Sequence, residues 1–236
     1  MALAGFIGVT AYFYFENNGV KLSNASTASI IVAAIPIITL LADALFFGYK
    51  LSKKAVLGVA LSLAGVYFVV GADLGQLFTS GQGKGNLLMF GAVLSWVVYC
   101  MVTRSIYRKY SQLAITCYQN VFGAVTLIPF ALLEKTPWQQ IDANIMLNVA
   151  FLGVFCSAVG YYFYIYAMST LGVSVTSLFI NLSPVVTVAA SYLLLNETIT
   201  KTQLGGGLLV LLSVYLVSFS GPQPEQEQTG TISLAE

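Results

Sequence analysis

Eight apolar runs, separated by short polar stretches, make up most of the sequence. A helix needs about 20 mostly apolar residues to cross the hydrocarbon core of a bilayer, and the runs are close to that length. This pattern predicts an all-α fold, a polytopic membrane helix bundle with about eight transmembrane helices. The predicted spans are residues 2–19, 26–47, 55–71, 86–103, 113–133, 145–168, 174–195 and 204–219.

The composition agrees with these spans and excludes other classes of protein. Of the 236 residues, 58% are hydrophobic and only 8% are charged, whereas soluble domains carry about 25% charged residues. An ordinary soluble enzyme is excluded, and a net charge of +1 disfavours nucleic-acid binding. The sequence contains no histidine, which excludes a Ser-His-Asp site and a histidine-ligated metal. We expect no enzymatic activity, no cofactor, no metal site and no nucleic-acid partner.

Three cysteines, Cys100, Cys117 and Cys156, lie in apolar runs and form no CxxC pair. An unpaired cysteine behaves as a small hydrophobic residue. We therefore expect all three to be buried within helices.

The distribution of lysine and arginine predicts an orientation, because loops rich in these residues lie in the cytoplasm. We expect a multi-pass protein of the plasma (cell) membrane, with both termini and a disordered tail at 221–236 in the cytoplasm. On this side, Arg104, Arg108 and Lys109 are expected to form a loop that contacts anionic lipid headgroups. One side carries Lys50, Lys53, Lys54, Arg104, Arg108 and Lys109, and the other carries Lys21, Lys84, Lys135 and Lys201.

The chain contains an internal repeat with an offset of 148 residues. Residues 14–70 align with 162–218 without a gap, and fifteen of the 57 aligned pairs are identical, including Pro36 with Pro184. The offset moves the second span onto the seventh, five spans along, so the two copies have opposite orientations in the membrane. Inverted repeats of this kind are typical of alternating-access transporters, whose substrate site lies between the halves near the midplane.

The two copies differ in length. Spans 86–103 and 113–133 precede the part of the second copy that matches the first, and the first copy has no counterparts for them. We expect residues 1–71 to form the last three helices of a truncated first repeat and 85–220 a complete five-helix second repeat. The chain then represents about eight helices of a ten-helix architecture, with about 60 residues of a complete first half preceding Met1. An N-terminally truncated, non-transporting fragment is the alternative, and pairing as a homodimer is another possibility.

Several short motifs occur in order along the second copy and in weaker form along the first. They are Gly91–Trp96 with Arg104, the stretch Asn181–Val185, Leu195-Asn196-Glu197, and the glycines 205–207. Over residues 2–220 the chain resembles the drug/metabolite transporter (DMT) superfamily, specifically its EamA-type branch. In the first half the family's Gly-Glu pair at the end of the repeated helix is replaced by Gly48-Tyr49-Lys50.

The resemblance implies a ten-helix carrier for small metabolites, often amino acids or drug-like compounds and often moved outward. Proton-driven exchange is common among such carriers. The expected partners are therefore a small-molecule substrate, membrane lipid and, as a candidate coupling ion, the proton.

Two acidic residues, Glu16 and Asp43, lie within the predicted spans. An ionised side chain at the bilayer centre costs about 2.5–3.5 kcal/mol on insertion scales, so such residues are often functional. Glu16 precedes Asn17 and is either a protonatable coupling site or a helix end that reaches interfacial water. Asp43 lies near Lys50 and aligns with Ser191 in the other copy, so its position does not require a charge.

Further candidates are polar or aromatic residues that could face a central cavity. The aromatic residues either line a site for an amphipathic organic substrate or serve packing and the interfacial belt. Pro36 and Pro184 are predicted to kink their helices, as a hinge or as a fixed bend. Glu197 is expected to cap a helix end. The candidates for substrate binding or coupling are Glu16, Asn17, Tyr14, Asp43, Trp96, Tyr99, Gln119, Asn120, Tyr162, Asn181 and Ser183.

Overall fold

A computed structural model describes residues 1–23, 25–48, 52–71, 83–133, 141–195 and 198–218, and over these residues the chain is helical with no strand. Lys50, Asn196, Glu197 and the tail at 221–236 lie outside this part of the chain. Each predicted span falls on one long helical segment, which confirms the polytopic helix bundle. The segments are α1 (Ala2–Gly5, Phe6–Ala11, Tyr12–Leu22), α2 (Ala25–Val32, Ile35–Phe47), α3 (Lys53–Val70), α4 (Gly83–Ile106), α5 (Gln112–Leu133), α6 (Ala143–Phe151, Leu152–Val159, Gly160–Leu171), α7 (Val173–Leu178, Phe179–Leu182, Ser183–Leu195) and α8 (Lys201–Ser218).

Six of the described segments are long and apolar enough to cross a membrane, which makes this a multi-pass membrane protein. They are Thr27–Phe47, Lys53–Val70, Gly83–Ile106, Gln112–Leu133, Ala143–Leu171 and Val173–Leu194. In α8 the apolar stretch Lys201–Val217 is shorter. The second half of α1 carries the polar residues Glu16, Asn17 and Asn18.

Helices α2 and α7 are both interrupted shortly before their prolines. In α2 the helix breaks into a turn at Ala33 and Ala34, and Pro36 sits in the first turn of the next segment. In α7 a 3₁₀ segment, Phe179–Leu182, precedes Pro184. Proline has no backbone N–H and clashes with the preceding turn, so each interruption falls where the proline prevents the α-helix from continuing.

Helices α1, α4, α5 and α6 enclose the largest described core. Its buried side chains include Val9 of α1, Tyr99 and Cys100 of α4, Ile115 of α5 and Ile165 of α6. The first part of α6, residues 143–159, has no buried residue. Its repeat mate in α1 is packed against α4 and α5, so the two copies of this helix have different surroundings.

The cysteine prediction was correct for one residue only. Cys100 is buried, whereas Cys117 and Cys156 are exposed on the outside of the bundle. The reason is that lipid covers the outside of a membrane protein, so an apolar residue gains little by facing inward.

Helices α3 and α8 form the most extensive helix pair, and small residues allow their close approach. A Cβ atom at Gly206 would lie 2.6 Å from the carbonyl oxygen of Gly65 and 2.8 Å from the backbone nitrogen of Val69. The neighbouring Gly205 faces away from α3, and a Cβ there would meet no atom within 4 Å.

These adjacent glycines give a matched pair of variants. Gly206→Ala is expected to lower the free energy of unfolding by about 1–3 kcal/mol, because overpacking forces the two backbones apart. Gly205→Ala is expected to leave stability unchanged or raise it by up to about 1 kcal/mol, since alanine favours the helix. Thermal unfolding in detergent measures both. Equal stability of the two variants would show that α3 and α8 do not approach this closely.

Candidate functional site

An aromatic cluster lies in the core where α1, α4 and α6 meet, with the ring of Trp96 at its centre. The ring centroid of Trp96 lies 4.9 Å from that of Tyr12, 5.3 Å from Tyr99, 5.8 Å from Tyr161 and 5.1 Å from Tyr164. Tilted and edge-to-face ring pairs at such separations are favourable beyond the area that they bury. Of the predicted candidates, the structure brings Trp96 and Tyr99 together. It adds Tyr12, Tyr161 and Tyr164, which were not among those candidates.

Hydrogen bonds join the polar atoms of this cluster to neighbouring helices. Trp96 Nε1 donates to Tyr164 Oη at 3.2 Å, and Tyr99 Oη donates to Gln119 Oε1 of α5, also at 3.2 Å. The hydroxyl of Tyr161 donates to the carbonyl oxygen of Gly8 at 2.5 Å. These bonds fix the orientation of the rings, since a buried tyrosine or tryptophan needs a partner for its polar atom.

Gln119 also places a polar group in the cluster that has no partner. Its side chain is fully buried, and Nε2 has no hydrogen-bond partner within the described ranges. A buried amide donor left unpaired costs free energy. The Gln119 amide is therefore suited to bind an acceptor atom, such as a carbonyl or carboxylate oxygen, that reaches the cluster.

A second polar site surrounds Asp43, which is only 2% exposed. Arg104 Nη1 donates to Asp43 Oδ1, and Ser174 Oγ donates to Asp43 Oδ2. The guanidinium carbon of Arg104 also lies 4.2 Å from the ring centroid of Phe47, a cation–π contact. Arg104 thus belongs to the last turn of α4 and pairs with Asp43, which corrects its assignment to a lipid-contacting loop. The predicted topology already placed both residues at the same end of the bundle.

A third polar contact lies where α2 and α7 cross. Asn181 is buried, and its Nδ2 donates to Ser62 Oγ at 2.7 Å and to the carbonyl oxygen of Ala33 at 3.4 Å. Ala33 and Asn181 are 148 residues apart, the offset of the internal repeat, so the two interrupted helices meet at equivalent positions. The break in α2 leaves carbonyl groups without helical partners, and Asn181 binds one of them.

Glu16 lies at the edge of the aromatic cluster, half-buried one helical turn beyond Tyr12. The other remaining candidates lie outside the three sites. Asn17, next to Glu16, is exposed. Tyr14 is exposed and its ring contacts Phe130 at 5.3 Å. Asn120 and Tyr162 are half-buried. Ser183 is exposed beside Pro184 and opens on an apolar groove of about 670 Å³ along α7.

A family model and several individual proteins match most of the chain. The family model described as "EamA-like transporter family" matches residues 1–71 and 83–219. An uncharacterized transporter of Archaeoglobus fulgidus is 27% identical over 213 residues, which cover 90% of this chain and 75% of the relative. The uncharacterized transporter YyaM of Bacillus subtilis is 28% identical over 221 residues, covering 92% of this chain and 71% of the relative.

One relative has a more specific name. A probable terminal-alkyne amino-acid exporter of Streptantibioticus cattleyicolor is 25% identical over 218 residues, covering 92% of this chain and 72% of that protein.

A solved crystal structure superimposes with a TM-score of 0.77 at 19% identity, covering 93% of this chain and 75% of the other. That likeness supports the fold.

Proposed function

The chain belongs to the EamA-like transporter family, and we propose that this multi-pass membrane transporter is a secondary carrier that works by alternating access. The crossing of α2 and α7 is the observation that carries the proposal. Two interrupted helices meet there at positions related by the internal repeat, with a buried amide bound to a backbone carbonyl. Discontinuous helices at the interface between inverted repeats build the substrate sites of many secondary transporters.

The proposed substrate is a small amphipathic organic molecule, such as an amino acid or a drug-like compound. The rings of Trp96, Tyr12 and Tyr161 offer apolar faces, and the unpaired amide of Gln119 offers a donor for a carbonyl or carboxylate oxygen. Ligand sites commonly combine apolar walls with a few such polar groups. The relative named as an amino-acid exporter supports this substrate class and an outward direction.

The proposal also places the carrier in the plasma membrane, with both termini in the cytoplasm because of the bias in lysine and arginine. It divides the chain into a first repeat at 1–71 and a second at 85–220. Glu16 and Asp43 are the candidates for proton coupling. Pro36 and Pro184 are proposed as hinges, because each follows an interruption in its helix.

Uptake and exchange in proteoliposomes test the proposal. We expect the purified chain to exchange at least one labelled amino acid or aromatic metabolite from a broad panel, with the flux saturating in substrate. Liposomes that contain the Gly206→Leu variant, in which the leucine side chain forces α3 and α8 apart, serve as a matched, misassembled control. Absence of flux from the monodisperse chain across the panel would favour the alternative, a non-transporting fragment. Cross-linking of the same sample tests for a homodimer.

Glu16 allows the coupling step to be separated from substrate binding. If Glu16 carries the coupling proton, Glu16→Gln is expected to abolish transport driven by a pH gradient while substrate exchange at equal pH continues. Removing an ionisable group prevents the proton from being released but leaves a side chain of similar shape. Counterflow and pH-driven uptake are measured on the same proteoliposomes. An unchanged pH dependence would exclude Glu16 from coupling.

A further inference from the structure

The cluster of Asp43, Arg104 and Ser174 is the last buried layer before one end of the bundle. Along α4, Tyr99 and Cys100 are fully buried, the Arg104 side chain is 11% exposed, and Arg108 and Lys109, just after the helix, are exposed. The ion pair therefore lies at the boundary between the core and the surface that carries the basic residues.

This cluster also joins the two proposed halves. Asp43 lies in α2 of the first repeat, whereas its partners lie in α4 and α7 of the second. Breaking one partner of a buried ion pair leaves an uncompensated charge and is strongly unfavourable. The two halves cannot separate at this end unless both contacts to Asp43 are released together.

The position equivalent to Asp43 in the other copy of the repeat is Ser191. The inverted repeat relates the two ends of the bundle to each other. Since a serine carries no charge to pair with a guanidinium, the two ends differ at this aligned position.

A buried hydroxyl lies directly behind the cluster. Thr39 is one helical turn before Asp43 in α2, is fully buried, and its Oγ1 has no hydrogen-bond partner within the described residues. A buried polar atom without a partner is costly. Water or substrate admitted past the ion pair would supply that partner.

We propose that Asp43, Arg104 and Ser174 form the gate at the end of the passage that faces the basic surface, and that opening at this end requires the ion pair to separate. The proposal rests on the proposed carrier function and deepens it, because it assigns these three residues to one of the two closures. Asp43 and Arg104 hold the gate shut directly, and Ser174 positions the Asp43 carboxylate for Arg104.

Cys100 provides a natural probe of this gate. It lies one helical turn before Arg104, is fully buried, and its Sγ lies 3.5 Å from Tyr164 Oη. The exposed thiols are removed by Cys117→Ala and Cys156→Ala in the full chain. The rate of Cys100 modification by a membrane-impermeant methanethiosulfonate is then measured from each side, without substrate. A Lys109→Cys variant identifies the basic face.

Opening the gate is expected to expose Cys100 from the basic face only. Asp43→Asn and Arg104→Gln should each raise the rate by about tenfold or more, and Ser174→Ala, which keeps the ion pair, by about threefold. The charge-swapped pair Asp43→Arg with Arg104→Asp should restore protection. Arg108→Gln removes an exposed charge near the cluster and should leave the rate unchanged.

Two outcomes would overturn the gate. One is a Cys100 that stays protected in Ser174→Ala and in every monodisperse Asp43 or Arg104 variant. The other is modification from the face opposite Lys109. Since labelling needs no substrate, a carrier without detectable flux but with this pattern would contradict the proposed function and leave the gate standing. If Asp43→Asn fails to fold, the Ser174→Ala result decides.

Discussion

Arg104→Ala is expected to lower the free energy of unfolding by about 3–5 kcal/mol, because it leaves the Asp43 carboxylate buried without its cation. The Ser174 hydroxyl remains as a donor to the other carboxylate oxygen, but one neutral hydrogen bond does not compensate a full charge in a low-dielectric environment. The loss is measured by reversible unfolding in mixed micelles.

The double variant Asp43→Asn with Arg104→Gln separates the charge from the packing. Replacing both members of a buried pair by neutral groups of similar shape is often close to neutral, so the double variant is expected to be more stable than Arg104→Ala. Arg108→Gln serves as the surface control and is expected to change stability by less than about 1 kcal/mol. If the stability losses of Asp43→Asn and Arg104→Gln alone add up to the loss of the double variant, Asp43 and Arg104 do not interact.

Trp96→Ala is expected to reduce substrate flux by at least about tenfold, the largest transport defect among single changes in the aromatic cluster. Trp96 contacts four tyrosine rings, from α1, α4 and α6. Ring pairs of this kind contribute about 0.5–1.5 kcal/mol each beyond the area that they bury, so losing several disorders the whole cluster. Initial rates of exchange in proteoliposomes measure the effect.

Two variants separate this effect from general instability. Trp96→Phe keeps an aromatic ring but loses the hydrogen bond to Tyr164, and it is expected to retain an intermediate flux. Phe90→Ala removes an exposed ring from the outside of the same helix and is expected to leave flux unchanged. Flux from monodisperse Trp96→Ala within threefold of the unmodified chain would place the substrate elsewhere.

The helices were predictable from the sequence because each satisfies a local condition. An apolar run of sufficient length forms a helix in lipid whatever its neighbours are, since the bilayer forces the backbone to bond internally. The breaks near Pro36 and Pro184 follow from the missing N–H of proline. These properties depend on residues that are close together in the chain, and the structure agrees with each.

The contacts of the site could not be predicted in the same way, because they join distant parts of the chain. Asp43 and Arg104 are 61 residues apart, and Asn181 and Ser62 are 119 apart. Which charge meets which depends on helix rotation, and apolar runs in lipid carry little information about rotation. The same reason explains the cysteines, since Cys100, Cys117 and Cys156 occupy similar apolar runs but face in different directions.

The crossing of α2 and α7 has a geometric consequence of its own. If the two repeats exchange conformations as proposed, the backbone separation between repeat mates, such as Ala33 and Asn181, maps onto itself. The side-chain bond from Asn181 to Ala33 does not, since alanine has no amide to donate. The backbone distance at this crossing is therefore expected to be the same in both conformations. The crossing is then the natural origin from which displacements at the two ends of the bundle are measured.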